Sequence, residues 1–277
     1  MIGRVSALVL GISLFINLPV AGRNPVRDSV QLRNLGQAAA LDSPAICLAV
    51  HDVGKIKLGV TNNGTIGGST APGSSVYCFY GDTLFGGCQY PKESIWGYLY
   101  GGALWVGAIV NRDTIVSTGA ESWGGGFEFF PDKSPDGDII YRSTTDPTKD
   151  RYVGAISEQD FVATYYDTCI HCPGMRPDRF DGRSHKPLRL EVTQKSYAWS
   201  YPYASSFVLF DLSIRNLSIR RLTKMYIGLH VDADVVYPPD DIGGFKEVYP
   251  AFYSKSPMCG YDDTVNLAWV ADAQNEF

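Results

Sequence analysis

The strongest constraint on the fold is a two-residue period that recurs in three runs of the C-terminal half. Leu188, Leu190 and Val192 alternate with Arg189, Glu191 and Thr193. Val208, Phe210, Leu212 and Ile214 alternate with Leu209, Asp211, Ser213 and Arg215. Met225, Ile227, Leu229 and Val231 alternate with Tyr226, Gly228, His230 and Asp232. Successive side chains of an extended chain point to opposite faces, so these runs read as half-buried antiparallel strands. The short polar stretch between the second and third runs predicts that they pair as a hairpin. Upstream, Tyr98–Val110, the turn Asn111-Arg112-Asp113 and Thr114–Thr118 predict another hairpin, with Gly101, Gly102 and Gly107 marking bulges or close strand approach. Lys55–Thr61 reads as a strand with Ile56, Leu58 and Val60 on one face, and Val265, Leu267 and Trp269 begin another. Stretches 62–75, 132–138 and 144–150 have loop composition. No segment after residue 43 offers an amphipathic helix. The expected fold is all-β, an antiparallel β-sandwich with long elaborated loops over 44–277.

Composition narrows the function classes. Hydrophobic residues make up 45% of the 277 residues and charged residues 19%, which excludes an intrinsically disordered chain. Lys and Arg total 24 against 29 Asp and Glu, and no basic run occurs, which argues against nucleic acid as a partner.

The N-terminus reads as an address. Arg4 is its only charge, and the run Val5–Leu18 contains only Ser6, Ser13 and Asn17 as polar side chains. Pro19 breaks the run, and Val20-Ala21-Gly22 suits signal peptidase. A membrane-spanning helix needs about 20 apolar residues, more than this run supplies. Residues 1–22 are therefore expected to be a signal peptide, 23–43 a leader segment, and the chain secreted or displayed at the cell surface without a transmembrane anchor. The end at Phe277, so soon after the strand of Trp269, reads as the truncated end of a longer protein.

Export makes the cysteines legible. Cys47, Cys78, Cys88, Cys169, Cys172 and Cys259 are an even set, and an oxidising compartment favours disulfides among them. Cys78 with Cys88, closing the loop Phe79–Gly87, is the preferred pairing. Cys169-Ile-His-Cys172 is followed by Pro173-Gly174, a turn and not the helix of a redox enzyme. A structural disulfide is favoured there. The alternatives are zinc, with His171 and His185 as further ligands, and redox chemistry.

A long stretch of the chain resembles a known group. The residues that carry the resemblance are Gly102–Gly124, Glu128-Phe-Phe-Pro131, Ser157–Phe161, Lys186–Tyr203, Phe207–Asn216 and Asp232-Ala-Asp234. Over roughly residues 95–272 this resembles large uncharacterised exported bacterial β-sandwich proteins, some of which carry type IX secretion sorting domains. The resemblance implies export and a longer chain, and it implies no activity.

Three further constellations are candidates for chemistry. Asp232, Asp234, Asp240 and Asp241 gather at a strand end and the Pro238-Pro239 loop, where calcium could find the oxygen ligands it needs; a solvated acidic rim is the alternative. Glu121 with Glu128, and Glu158 with Asp160, are pairs that could serve as acid and base in glycoside hydrolysis, if two carboxylates face each other across a cleft. Tyr197, Trp199, Tyr201 and Tyr203 lie two apart, on one face if extended, and could stack on sugar rings or cover the end of the core. No GxSxG or HExxH motif occurs, and His51, His171, His185 and His230 lack an evident nucleophile partner in sequence. The expected function is a non-catalytic structural or adhesive module that meets glycans or other surface proteins. The alternative is a carbohydrate-binding module or glycoside hydrolase.

Overall fold

The computed structural model describes residues 46–67, 87–94, 97–99, 101–120, 126–132, 138–149, 152–172, 175–177 and 182–232, with four further strands at 15–16, 76–80, 251–253 and 267–269. The described residues contain no helix, and the fold is all-β. The chain lays down β1 (Phe15–Ile16), β2 (Ile46–His51), β3 (Lys57–Thr61), β4 (Val76–Tyr80), β5 (Cys88–Gln89), β6 (Gly101–Val110), β7 (Asp113–Thr118) and β8 (Phe130–Pro131). It continues through β9 (Ile140–Arg142), β10 (Gln159–Tyr166), β11 (Leu190–Ala198), β12 (Leu209–Asn216), β13 (Leu222–Asp232), β14 (Ala251–Tyr253) and β15 (Leu267–Trp269).

One sheet has the order β1-β12-β11-β10-β8, with β9 also on β10. A second holds β13-β6-β7 and β4-β2-β3-β5, joined where Ile66 bridges both Val60 and Gly102. A small third sheet pairs β14 with β15. Most pairings are antiparallel; β1 on β12 and β4 on β2 are parallel.

The alternation seen in the sequence becomes two cores shared by the first two sheets. One gathers Ala49, Leu58 and Val60 with Phe161, Ala163 and Phe210. The other gathers Leu104, Val106, Ala108 and Val110 with Leu190, Val192, Leu212 and Ile214. The interleaved positions Glu191, Thr193, Asp211 and Ser213 are only partly covered, as the two-residue period requires. The hairpin of β6 and β7 forms as expected, closed by Val110 opposite Asp113 around Asn111, whose φ of 60° fits the turn.

The second expected hairpin does not form. β12 pairs with β11, and β13 pairs with β6 in the other sheet. Met225 and Ile227 of β13 pack against the core that contains Leu212 and Ile214. The two strands therefore bury their apolar faces against a common core and do not lie side by side. Leu217 N–H donates to the Arg189 carbonyl at 2.8 Å as the chain leaves the first sheet. Residues 1–14 and 17–43 of the expected signal peptide and leader lie outside the described residues.

Candidate functional site

Two exposed aromatic groups and two sealed polar clusters frame the functional question. The first aromatic group is the turn after β11. That strand ends at Ala198, so the four expected aromatics divide instead of forming a row. Tyr197 is 5% exposed, whereas Tyr201 is 45% and Tyr203 82% exposed. Tyr197 and Trp199 stack at 6.2 Å, and Trp199 also packs on Phe207 at 6.1 Å, which ties the strand end to the next strand. Tyr201 and Tyr203 stack at 5.6 Å with planes 12° apart, out in solvent. The turn is pinned: Ala204 N–H donates to the Tyr201 carbonyl at 2.8 Å, and Lys55 N–H donates to the Ser205 carbonyl at 2.6 Å.

Of the carboxylates that could have served as acid–base pairs, the three described ones are held by the fold. Glu158 is 8% exposed and accepts from both the N–H and the hydroxyl of Ser200 at 2.9 Å. Asp160 is 1% exposed and accepts from Ile156 N–H at 2.7 Å, Ser157 N–H at 2.7 Å and the Ser157 hydroxyl. These acids staple the 156–160 loop to the sheet, because a buried carboxylate persists only with such partners. Glu121 lies outside the described residues. Glu128 accepts from Thr118 N–H at 2.8 Å and lies 2.8 Å from Nδ1 of His185.

His185 belongs to a second cluster that the sequence reading missed. Its Nε2 meets the Asp167 carbonyl at 2.7 Å. The Asp167 carboxylate is fully buried and accepts from the Ser117 hydroxyl, Leu188 N–H and Leu190 N–H at 2.7, 2.7 and 2.6 Å. Burial pushes the Asp167 carboxyl up, against the pull of those donors and of His185. Burial alone would lower the His185 pKa, but the Glu128 carboxylate and the Asp167 carbonyl outweigh it and raise it. On the other side of the core, His51 is fully buried and meets the Ser196 hydroxyl at 2.8 Å through Nε2. Burial drives this imidazole down to about 3, against a smaller upward pull from Gln159. A histidine–serine contact can suggest a nucleophile and its base. Ser196 is 1% exposed, however, so the contact serves the core.

The cysteines sort into three cases. Cys169 and Cys172 are disulfide-bonded, so the CxxC holds no thiolates for zinc, and His185 is engaged elsewhere. Cys47 is also disulfide-bonded, and the register of β2 on β4 sets Cys78 opposite it. Cys88 is a free, buried thiol, which overturns the expected closure of the Phe79–Gly87 loop by Cys78 and Cys88. The reason lies in the sheet. Pairing of Cys88 with Leu58 places its side chain in the core, where burial pushes the thiol up to about 12. Cys259 lies outside the described residues. So do Asp234, Asp240 and Asp241 of the expected calcium cluster; Asp232 ends β13, and no group of three or more metal-ligating side chains occurs among the described residues.

The second aromatic group is the outward face of β13, β6 and β7. Trp105 (36% exposed), Tyr226 (74%) and Val116 (46%) stand on it, with His230 stacked on Trp105 at 5.2 Å. The alternation of β13 had placed Tyr226, Gly228 and His230 on one face, and their pairing with β6 shows what that face does. No family model matches the chain, and no curated protein or solved structure matches it.

Proposed function

We propose that this is an exported, non-catalytic module of a larger secreted or surface protein, built as a two-layer β-sandwich and used for structure or adhesion. The observation that carries the reading is the contrast between Glu158, Asp160 and Glu128, whose oxygens are held by the fold, and the Tyr201–Tyr203 pair, which is held out in water on a pinned turn. Large rigid aromatics bring contact area at little entropic cost, which suits a docking turn. Export rests on the N-terminal apolar run, and N-terminal sequencing of the released protein should begin close to Arg23.

The same tyrosine pair favours carbohydrate binding as the second reading, because stacked rings offer a flat apolar face to a sugar. A glycan array with the parent chain and the Tyr201→Ala/Tyr203→Ala variant separates the two. Signals lost in the variant at unchanged melting temperature establish sugar recognition by the turn. A flat array, with the chain still pelleting with envelope fractions, supports the structural or adhesive role. Release of reducing sugar that is abolished by Glu158→Gln would refute the non-catalytic reading.

A further inference from the structure

We infer that the outward face of the β13–β6–β7 sheet is a second binding site, a platform for the pyranose rings of a neutral polysaccharide. It is separate from the turn at 199–206, and its residues are Trp105, Tyr226 and His230 over a floor made by Gly107 and Gly228.

The pairing register builds the platform. Trp105 sits between Gly228 on one neighbouring strand and Thr118 on the other; Gly107 sits between Tyr226 and Val116. Aromatic and bare positions thus alternate across the sheet, and the two large rings are diagonal neighbours. The inward alternates Leu104, Val106 and Ile227 belong to the core, so the outward set is free to serve another purpose.

Three observations show that the face is built and is not merely left over. First, the indole is fixed: Trp105 Nε1–H donates to the Ala120 carbonyl at 2.7 Å, and the ring lies 21° from the plane of His230. A ligand stacking there would not have to order it. Second, the fold does not require the glycines. A Cβ on Gly228 would meet nothing within 4 Å, and one on Gly107 would meet only ordinary contacts, the nearest at 3.6 Å to Val116 Cγ2. Neither glycine has the positive φ that would demand it. Glycine weakens a strand, and its use where packing and backbone do not call for it points to close approach by something outside. Third, β13 carries an extra residue between Thr223 and Tyr226, with Lys224 at φ 46°. A bulge of this kind re-aims the following side chains, here turning Tyr226, Gly228 and His230 outward. His230 Nε2 is also buried without a hydrogen-bond partner.

The chemistry of the face selects the ligand. The central positions Trp105, Gly107, Tyr226, Gly228 and Val116 carry no charge, and the carboxylate at the edge beyond Thr118, Glu128, is taken up by Thr118 and His185, which suits a neutral partner. A flat strip of rings over bare backbone fits the apolar face of a pyranose better than a protruding side chain.

The test is retention of the full chain on microcrystalline cellulose, chitin, xylan and mannan. Retention on at least one polymer is expected, reduced about tenfold by Trp105→Ala and by Tyr226→Ala. Gly228→Val is the decisive variant, because it fills the floor without removing a ring and its side chain has open space. It should fold with an unchanged or higher melting temperature and lose at least about tenfold in retention, while Tyr201→Ala/Tyr203→Ala keeps it. Retention on none of the four polymers, or retention undiminished by Gly228→Val, overturns the site. Loss in the Tyr201→Ala/Tyr203→Ala variant with Gly228→Val intact does the same and leaves the turn as the sugar site. Self-association of the parent chain that Gly228→Val abolishes overturns it in favour of a contact between copies.

Discussion

Nδ1 of His185 lies 2.8 Å from Oε1 of Glu128, and its Nε2 lies 2.7 Å from the carbonyl of Asp167. The ring faces an acceptor on both edges. A carbonyl only accepts, so Nε2 carries a proton, and the carboxylate at ion-pair distance from Nδ1 favours the doubly protonated, charged ring. This ties the approach to β11 to the segment that follows β7. Folding therefore favours the protonated imidazole. Stability from this pair should be complete below the ordinary histidine pKa of 6.5 and decline as pH rises through the raised value. Urea midpoints measured between pH 6 and 9 should fall with pH, and Glu128→Gln should flatten that limb at a cost of about 2–3 kcal/mol.

His51 works in the opposite direction. Burial lowers its pKa from 6.5 to about 3, so the unfolded state binds the extra proton between those values. Stability is complete above pH 6.5 and is lost as pH falls through that window, by on the order of 4 kcal/mol at its lower end. In the His51→Leu/Ser196→Ala double variant, which removes both partners of the buried contact, the fall in urea midpoint between pH 6.5 and 4 should shrink. An unchanged acid limb would show that other groups govern acid unfolding.

Gly64 is required for two reasons that act together. Its φ is +87°, and a Cβ there would meet the Tyr165 ring at 2.5 Å and its hydroxyl at 2.7 Å. Tyr165 is fully buried against Phe129 and hydrogen-bonds Gln194 at 3.2 Å, so it has nowhere to retreat. Gly64→Ala should cost about 2–4 kcal/mol, from left-handed backbone strain plus overpacking. Gly228→Ala, with open space at its Cβ, should cost nothing by the same denaturation assay.

Cys88 should be silent in the native protein. Its thiol is 1% exposed and pushed up to about 12, so the thiolate that alkylates is scarce and out of reach. Iodoacetamide at pH 8 should leave Cys88 unmodified until denaturant is added, and then label it without prior reduction. Cys169 and Cys172 should label only after reduction. Labelling of native Cys88 within minutes would contradict its place in the core.

The strands at 188–193, 208–215 and 225–232 were legible in the sequence, because a two-residue period is a local property that needs no knowledge of partners, whereas β2 and β10, central in their sheets, carried no such signal. Leu190, Val192, Phe210, Leu212 and Ile214 were legible as inward-facing for that reason, and so was the hairpin at Asn111, whose turn joins neighbours in the chain. Beyond that hairpin, which strands pair was settled by the burial of apolar faces between distant segments. The proximity of 207–215 and 224–232 in the chain pointed to a hairpin, but the apolar faces of β12 and β13 are buried in one core from different sheets. Tertiary structure also decided the fate of Glu158. Asp160 takes its donors from Ile156 and Ser157, three and four residues back, but nothing near Glu158 in sequence announces that Ser200, 42 residues on, would take up its oxygens. The Trp105–Tyr226 platform was half written in the alternation. Only the register of β13 on β6 could bring rings from residues more than a hundred positions apart onto one face, because cross-strand neighbours are chosen by pairing and not by spacing along the chain.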